Sequence, residues 1–342
     1  MRTLITAWAA HSPLGRDTNA HIRAALGEPA SGPRLVPDFD IREALGRKKT
    51  QSMERATGLA VAVVGQLLGR LGLGPDGPFS DPEIGLVLSV SDNMQAVVDF
   101  AGDTWSYAKP YQVDPGKIPA GLMNFHAGQC AIWYQLKGPN TTVCGSDAGM
   151  LSALNYARRL QRGGHARTVL CGAVEEYSPA RAAYDAASDE PGARRPAGEG
   201  CVVFALETAE SATGSASAHP LAEVLAVEFG AYLDAGDVRS ALSACIGRAL
   251  DRTAVSAEKV QAVAPSPSIG PRGRAELSAI ADVLGEVRLA TAWQDALGDT
   301  RAAAAGFQIL ELLVTPGDPG RVVLVTTSDD EGRVACALLQ IW

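Results

Sequence analysis

Short, nearly continuous apolar runs alternate with runs of helical apolar spacing along the whole chain, and the alternation occurs twice over. The run at 84–90 is apolar at almost every position, which predicts a strand covered on both faces rather than one with a wet side. Similar short runs stand at 2–8, 141–144, 168–171 and 201–206. Between them, 51–72 places Met53, Ala56, Leu59, Val63, Leu67 and Leu71 at helical spacing and stops at Gly72-Leu73-Gly74. Further helices are predicted over 17–26, after a Ser-Pro-Leu-Gly turn, and over 120–136, ending at Lys137-Gly138-Pro139. Another begins at Ser146 or Asp147 as its cap, with Met150, Leu151, Leu154, Ala157 and Leu160 on its apolar face. A small, polar stretch at 208–220 then divides the chain. Strands follow at 221–228, 260–264, 287–291, 321–327 and 333–341, with helices at 236–252, 274–284 and 301–313. Two layered α/β units packed together are expected, over 1–210 and 219–342.

Composition narrows the partners. The chain has 342 residues and a formal net charge of −8. Its one basic block is Arg47-Lys48-Lys49, which argues against a nucleic-acid surface. No apolar run approaches the ~18 residues of a membrane span. The first residues, Met1-Arg2-Thr3-Leu4-Ile5, lead straight into a strand without a secretory leader, so a cytosolic protein is expected. The six cysteines form no C-x-x-C pair; reduced, mostly buried thiols are expected, with no metal site.

Specific motifs accompany this grammar. HSPLG stands at 11–15, RKKTQSMERAT at 47–57, IPAGLMNFHAGQCAIWYQLKGPN at 118–140, RPAGEGCVVFALE at 195–207 and RGRAELSAI at 272–280. In that order they resemble the β-ketoacyl synthase branch of the thiolase fold over nearly the whole chain. The resemblance implies two pseudo-repeated βαβαβαββ halves in a five-layered α-β-α-β-α architecture, with no cofactor.

A working member of that family needs a cysteine at a helix N-terminus, where the dipole and backbone N–H groups stabilise thiolate and oxyanion. It also draws two histidines and a lysine from its second half. Matched position by position, the nucleophile elbow falls at Ser146 or Asp147, and Cys144 lies too early, within the strand. Counting back the family spacing from Glu276 lands on Pro265, not histidine. Gln294 stands near the lysine position and Asp299 takes that of the second histidine. The turn Thr327-Ser328-Asp329-Asp330-Glu331-Gly332 is acidic where the family is glycine-rich. The histidines are His11, His21, His126, His165 and His219, none of them beyond 219, so no general base can be assembled from the second half.

A ketosynthase-like chain of this kind resembles the chain-length factor of type II polyketide synthases. That resemblance implies a heterodimer with an active ketosynthase, transient contact with an acyl carrier protein, and a tunnel whose end limits product length. The strand Thr141, Thr142, Val143 and Cys144 is then expected at the interface, flanked by Ile118, Met123 and Phe125. Met94, Val97 and Ala101, with Phe100 as a further candidate, would line the tunnel end. Trimmed loops near 189–197 and 208–218 lean toward a polyene or aryl-polyene product. Two other readings stay open: an acyltransferase or hydrolase using Cys144 or Ser146, and a malonyl decarboxylase-type priming subunit.

Overall fold

A computed structural model describes residues 1–23, 32–51, 53–73, 82–188, 195–212 and 220–342. The last residues, 24–26, of the helix expected at 17–26, part of each trimmed loop, and His219 lie outside the described residues.

Ten strands are present among them. They are β1 (Thr3–His11), β2 (Ile84–Val90), β3 (Asn140–Cys144), β4 (Thr168–Glu175), β5 (Gly200–Thr208), β6 (Ala222–Ala231), β7 (Val260–Ala264), β8 (Arg288–Leu289), β9 (Arg321–Ser328) and β10 (Arg333–Ile341). They join in the order β3-β2-β4-β5-β1-β6-β10-β9-β7-β8. The first five therefore run 3-2-4-5-1 and the last five, read from the far edge, 8-7-9-10-6. Parallel and antiparallel pairings repeat in the same places: β2 is parallel to β3 and β4 as β7 is to β8 and β9. The antiparallel pairs β4–β5 and β5–β1 match β9–β10 and β10–β6. In the strand ladder the two halves are joined by the pairs Leu4–Glu223 and Ile5–Ala222. The internal repeat expected from the alternation is present.

Eight helices of ten or more residues cover the sheet among the described residues: α1 (Arg55–Arg70), α2 (Met94–Ser106), α3 (Phe125–Tyr134), α4 (Gly149–Arg162), α5 (Pro179–Ser188), α6 (Val238–Thr253), α7 (Gly270–Leu284) and α8 (Ala304–Val314). Strand alternation sorts the core into layers. Along β5, Val202, Phe204 and Leu206 face a central core holding α4 and α8, through Met150, Leu154, Phe307 and Leu310. Cys201, Val203 and Ala205 face an outer core with Leu59, Val63 and Leu67 of α1 and Cys130 of α3. Along β10, Ala335, Ala337 and Leu339 enter the same central core. Val334, Cys336 and Leu338 enter a second outer core under Leu242 and Ile246 of α6 and Ile280 of α7. Helix, sheet, helix, sheet, helix is the resulting stack, and it explains why these strands are apolar at every position.

Three sequence expectations change. The helix over 120–136 is broken: a turn at Lys117–Ala120 precedes α3, and the Asn93 amide donates to the Ala120 and Leu122 carbonyls in the gap. The strand at 287–291 shrinks to Arg288–Leu289 at the sheet edge. Neither Ser146 nor Asp147 caps α4; Ala148 occupies the cap position without a side-chain bond, because Asp147 turns toward Arg272.

Candidate functional site

The turns leaving β3, β7 and β9, the loop before α8 and the segment before β5 converge on one place. Gly149 opens α4 there, and a Cβ on it would stand 2.4 Å from the Ser89 hydroxyl, so the close strand–helix approach needs glycine. Gly298 does similar work before α8: its φ is +70° and a Cβ would meet the Pro196 carbonyl at 2.3 Å. The chain then bonds to 196–198 through Asp299 N–H to the Pro196 carbonyl and Gly198 N–H to the Asp299 carbonyl, both 2.8 Å. This brings Arg195 and Asp299 together.

Asp147 and Asp299 line a narrow slot of about 10 Å³ with Arg195, Pro267, Ser268, Ile269 and Arg272. Such a space admits about one water. Asp147 is only 3% exposed, and burial, reinforced by the Asp299 charge and opposed by Arg272, pushes its carboxyl up to about 8. Arg272 lies 3.8 Å from both Asp147 and Asp330. Pro265 ends β7, and its carbonyl accepts from Gln294 Nε2 at 2.9 Å. Gln294 Oε1 in turn accepts from Arg195 at 3.1 Å. Glu276, fully buried on α7, accepts from Ser266 N–H (2.8 Å) and from the hydroxyls of Ser266 (2.5 Å), Thr326 (2.6 Å) and Ser328 (2.8 Å). Of Ser146, Asp147, Pro265, Gln294 and Asp299, the positions matched to the family motifs, four therefore come together: Asp147 and Asp299 in one slot, with Pro265 and Gln294 hydrogen-bonded beside it.

Ser146 faces a separate, more open cleft of about 380 Å³, lined also by Ser91, Asp92, Met94, Tyr184, Arg301, Asp330 and Glu331. Arg301 has a left-handed φ of +36°, a strained conformation for a non-glycine residue. It donates to Asp92 at 3.0 Å and to Asp185, and lies over the Tyr184 ring. Arg181, buried behind it, donates to the Gly198 carbonyl at 2.9 Å and the Asp299 carbonyl at 2.7 Å and pairs with Glu175 at 3.2 Å. Burial outweighs these cations and pushes the Glu175 carboxyl up to about 7. Arg181, Arg301 and Glu175 escaped the sequence reading. Arg301 does carry a signal, since it stands two residues after the displaced histidine position.

Among the described residues, neither cavity is lined by histidine, cysteine or lysine. His126 is committed to Thr57 at 2.8 Å and to Asn93, and burial pushes its imidazole down to about 4. His21 bonds to Ser12 at 2.9 Å and to the Asp17 carbonyl at 2.7 Å. Cys144 is the exposed cysteine, at the end of β3 and ahead of α4; partial burial raises its thiol rather than activating it.

Beside the cleft runs a different surface. On α2 only Ala96 is buried; Met94 lines the cleft, Phe100 is half-buried, and Val97 and Ala101 are exposed. Ile118, Leu122, Ile132, Trp105 and Tyr111 are exposed as well, Trp105 to 91%. Met123 and Phe125 are half-buried. Thr141, Thr142 and Val143 are half-buried on β3, which pairs with β2 alone among the described residues.

Residues 14–192 match the family model of the beta-ketoacyl synthase N-terminal domain. A 3-oxoacyl-[acyl-carrier-protein] synthase 2 of Synechocystis is 28% identical over 195 residues, 52% of this chain and 47% of that one, so the chain spans about half the length of that relative. A putative polyketide beta-ketoacyl synthase 2 of Streptomyces virginiae is 29% identical over 297 residues, 77% of this chain and 69% of that one. Among solved structures, the ishigamide ketosynthase/chain length factor is 36% identical with a TM-score of 0.87, covering 100% of this chain and 99% of that one. The repeated sheet with its three helical layers is thus the thiolase-like fold of ketosynthases.

Proposed function

This chain belongs to the beta-ketoacyl synthase family, and from that premise we propose that it is a non-catalytic chain-length factor of a type II polyketide synthase. It pairs with an active ketosynthase in the cytosol, meets the acyl carrier protein transiently, and closes the far end of the partner's acyl tunnel. The observation that carries the reading is the slot shared by Asp147 and Asp299. The elbow position is Ser146 or Asp147 and the second-histidine position is Asp299; the two carboxyls are held among arginines around space for about one water. Carboxylates make poor acyl acceptors in the absence of an activating base. The exposed apolar flank and the open edge of β3 support the second part of the reading, since an unpaired edge strand in a soluble protein calls for a cover.

Chain length is then set by side-chain volume. Met94 at the cleft, with Val97, Phe100 and Ala101 along α2, forms the proposed tunnel end. Thr141, Thr142, Val143, Cys144, Ile118, Met123 and Phe125 form the proposed interface. Forcing one more methylene into a filled site costs about 1–3 kcal/mol, enough to set a sharp limit. A small residue at 101 suits a longer or straighter chain, and a reduced polyene is the product class we favour.

Co-expression with a cognate ketosynthase tests this. A stable 1:1 complex is expected, with Ala101→Phe shortening the products and Met94→Ala lengthening them. Unchanged product lengths in an intact complex would remove the tunnel assignment. Acylation of the purified chain by acyl thioesters, abolished by Cys144→Ala, would remove the non-catalytic reading altogether.

A further inference from the structure

Away from the centre and the flank, the second half holds two thiols in contact. Cys245 lies on the inner face of α6 and Cys336 in β10, both buried, with their sulfurs 3.6 Å apart and 91 positions between them in the chain. Strand alternation sends Cys336 into the outer core that Leu242 and Ile246 of α6 enter from above. Charge surrounds the pair on the solvent side: Arg248 and Arg252 of α6 reach Glu228 at 3.6 and 2.7 Å, and Glu228 stands opposite Cys336 on β6. The two thiols share one hydrogen bond, and contact with the Cys336 thiol, together with the Arg248 charge, lowers the Cys245 thiol from its ordinary value. Cys130, Cys171 and Cys201 are raised by burial.

We propose that Cys245 and Cys336 form an oxidative modification site that takes hydrogen peroxide and closes a reversible disulfide between α6 and β10. The Cys245 sulfur attacks one peroxide oxygen, and the O–O bond breaks. The departing oxygen leaves as water with the Cys245 proton, and a sulfenic acid remains. The Cys336 sulfur then attacks the Cys245 sulfur, the S–O bond breaks, and a second water leaves with the Cys336 proton. Two thiols are oxidised and one peroxide is reduced. The sulfurs must approach by about 1.5 Å to reach bonding distance, a movement within reach of side-chain rotation. The bridge would staple the outer helix of the second half to the strand that links β6 and β9. It is independent of the chain-length role.

Peroxide treatment of the full-length Cys144→Ser chain is the test; that variant removes the exposed thiol and so prevents links between molecules. After denaturing alkylation, peptide mass mapping should find Cys245 joined to Cys336, lighter by two hydrogens, with Cys130, Cys171 and Cys201 still alkylated. The melting temperature should rise by about 5–10 °C and return on adding dithiothreitol. In Cys336→Ser, with its fold confirmed by melting, the reaction should halt at a Cys245 sulfenic acid trapped by dimedone. Full alkylation of all five remaining thiols, or a link between another pair, would overturn the proposal.

Discussion

The centre and the flank of this chain share Met94 as a border, yet they satisfy their groups in opposite ways. At the centre, Asp147, Asp299, Glu276, Arg181 and Arg301 are buried polar groups tied to neighbouring side chains or to the backbone. Buried ions cost several kcal/mol each unless matched, so such a network is built around itself rather than around a visitor. Along the flank, Val97, Ile118 and Ile132 stand half or more exposed, and β3 keeps one edge open among the described residues. The centre finds its partners inside the chain, whereas under the proposed function the flank would find its partner outside it. Exposed apolar residues beside an open strand edge are the kind of surface such a partner would cover.

The contrast breaks most visibly at the flank. Cys144→Asp with Ile118→Glu should weaken assembly with the ketosynthase about 100-fold or more by titration, because both charges would be desolvated in the proposed interface. The isolated chain should melt as before, since both positions are exposed. A complex of unchanged affinity would place the interface elsewhere. At the centre the effects should instead appear in stability. Glu276→Ala strips the acceptor from Ser266, Thr326 and Ser328, and should cost about 3 kcal/mol in a denaturant titration. Gly149→Ala should cost about 1–3 kcal/mol, from the clash with the Ser89 hydroxyl. Adding Ser89→Ala should recover most of that loss, a coupling read by a double-mutant cycle.

The smallest effect is also the sharpest test of the shared slot. The Asp147 carboxyl sits near 8 when folded, against ~3.9 in an unfolded chain, so the folded form binds the extra proton between those values. Its contribution to stability is complete below about pH 4 and is lost as pH rises through about 8. Glu175 and Glu176, each raised to about 7, act in the same direction, so only a difference isolates Asp147. The melting temperature of Asp147→Asn relative to the wild type should climb by a few degrees between pH 5 and 8.5. A flat difference would mean that Asp147 is ionised throughout and fully paired with Arg272.

Much of the fold was legible because apolar periodicity reports burial directly. The strands expected at 84–90, 260–264 and 333–341 appear with those bounds, and the 2-to-3.6 alternation exposed the internal repeat. The errors lie where a side chain from elsewhere intervened. Asn93 interrupts the helix expected over 120–136 by taking two of its carbonyls, and Arg272 draws Asp147 away from capping α4. At the site, the unusual residues Asp147, Pro265, Gln294 and Asp299 were readable from their places in the motifs. What now holds them was not, because Arg181, Arg195 and Arg301 look like ordinary charges on a line of text.

The amino-acid order by itself determined which stretches are strands and helices, that they form two like halves, and that the chain resembles a ketosynthase. Those are local properties: spacing, residue type and position relative to a motif. Only the tertiary structure decided that Asp147 and Asp299 share one slot, that Arg181 spans 118 positions to the Asp299 carbonyl, and that Cys245 touches Cys336. Charge pairing and thiol contact fall off within a few ångströms, while the chain separates these residues by tens to hundreds of positions, and folding alone sets those distances.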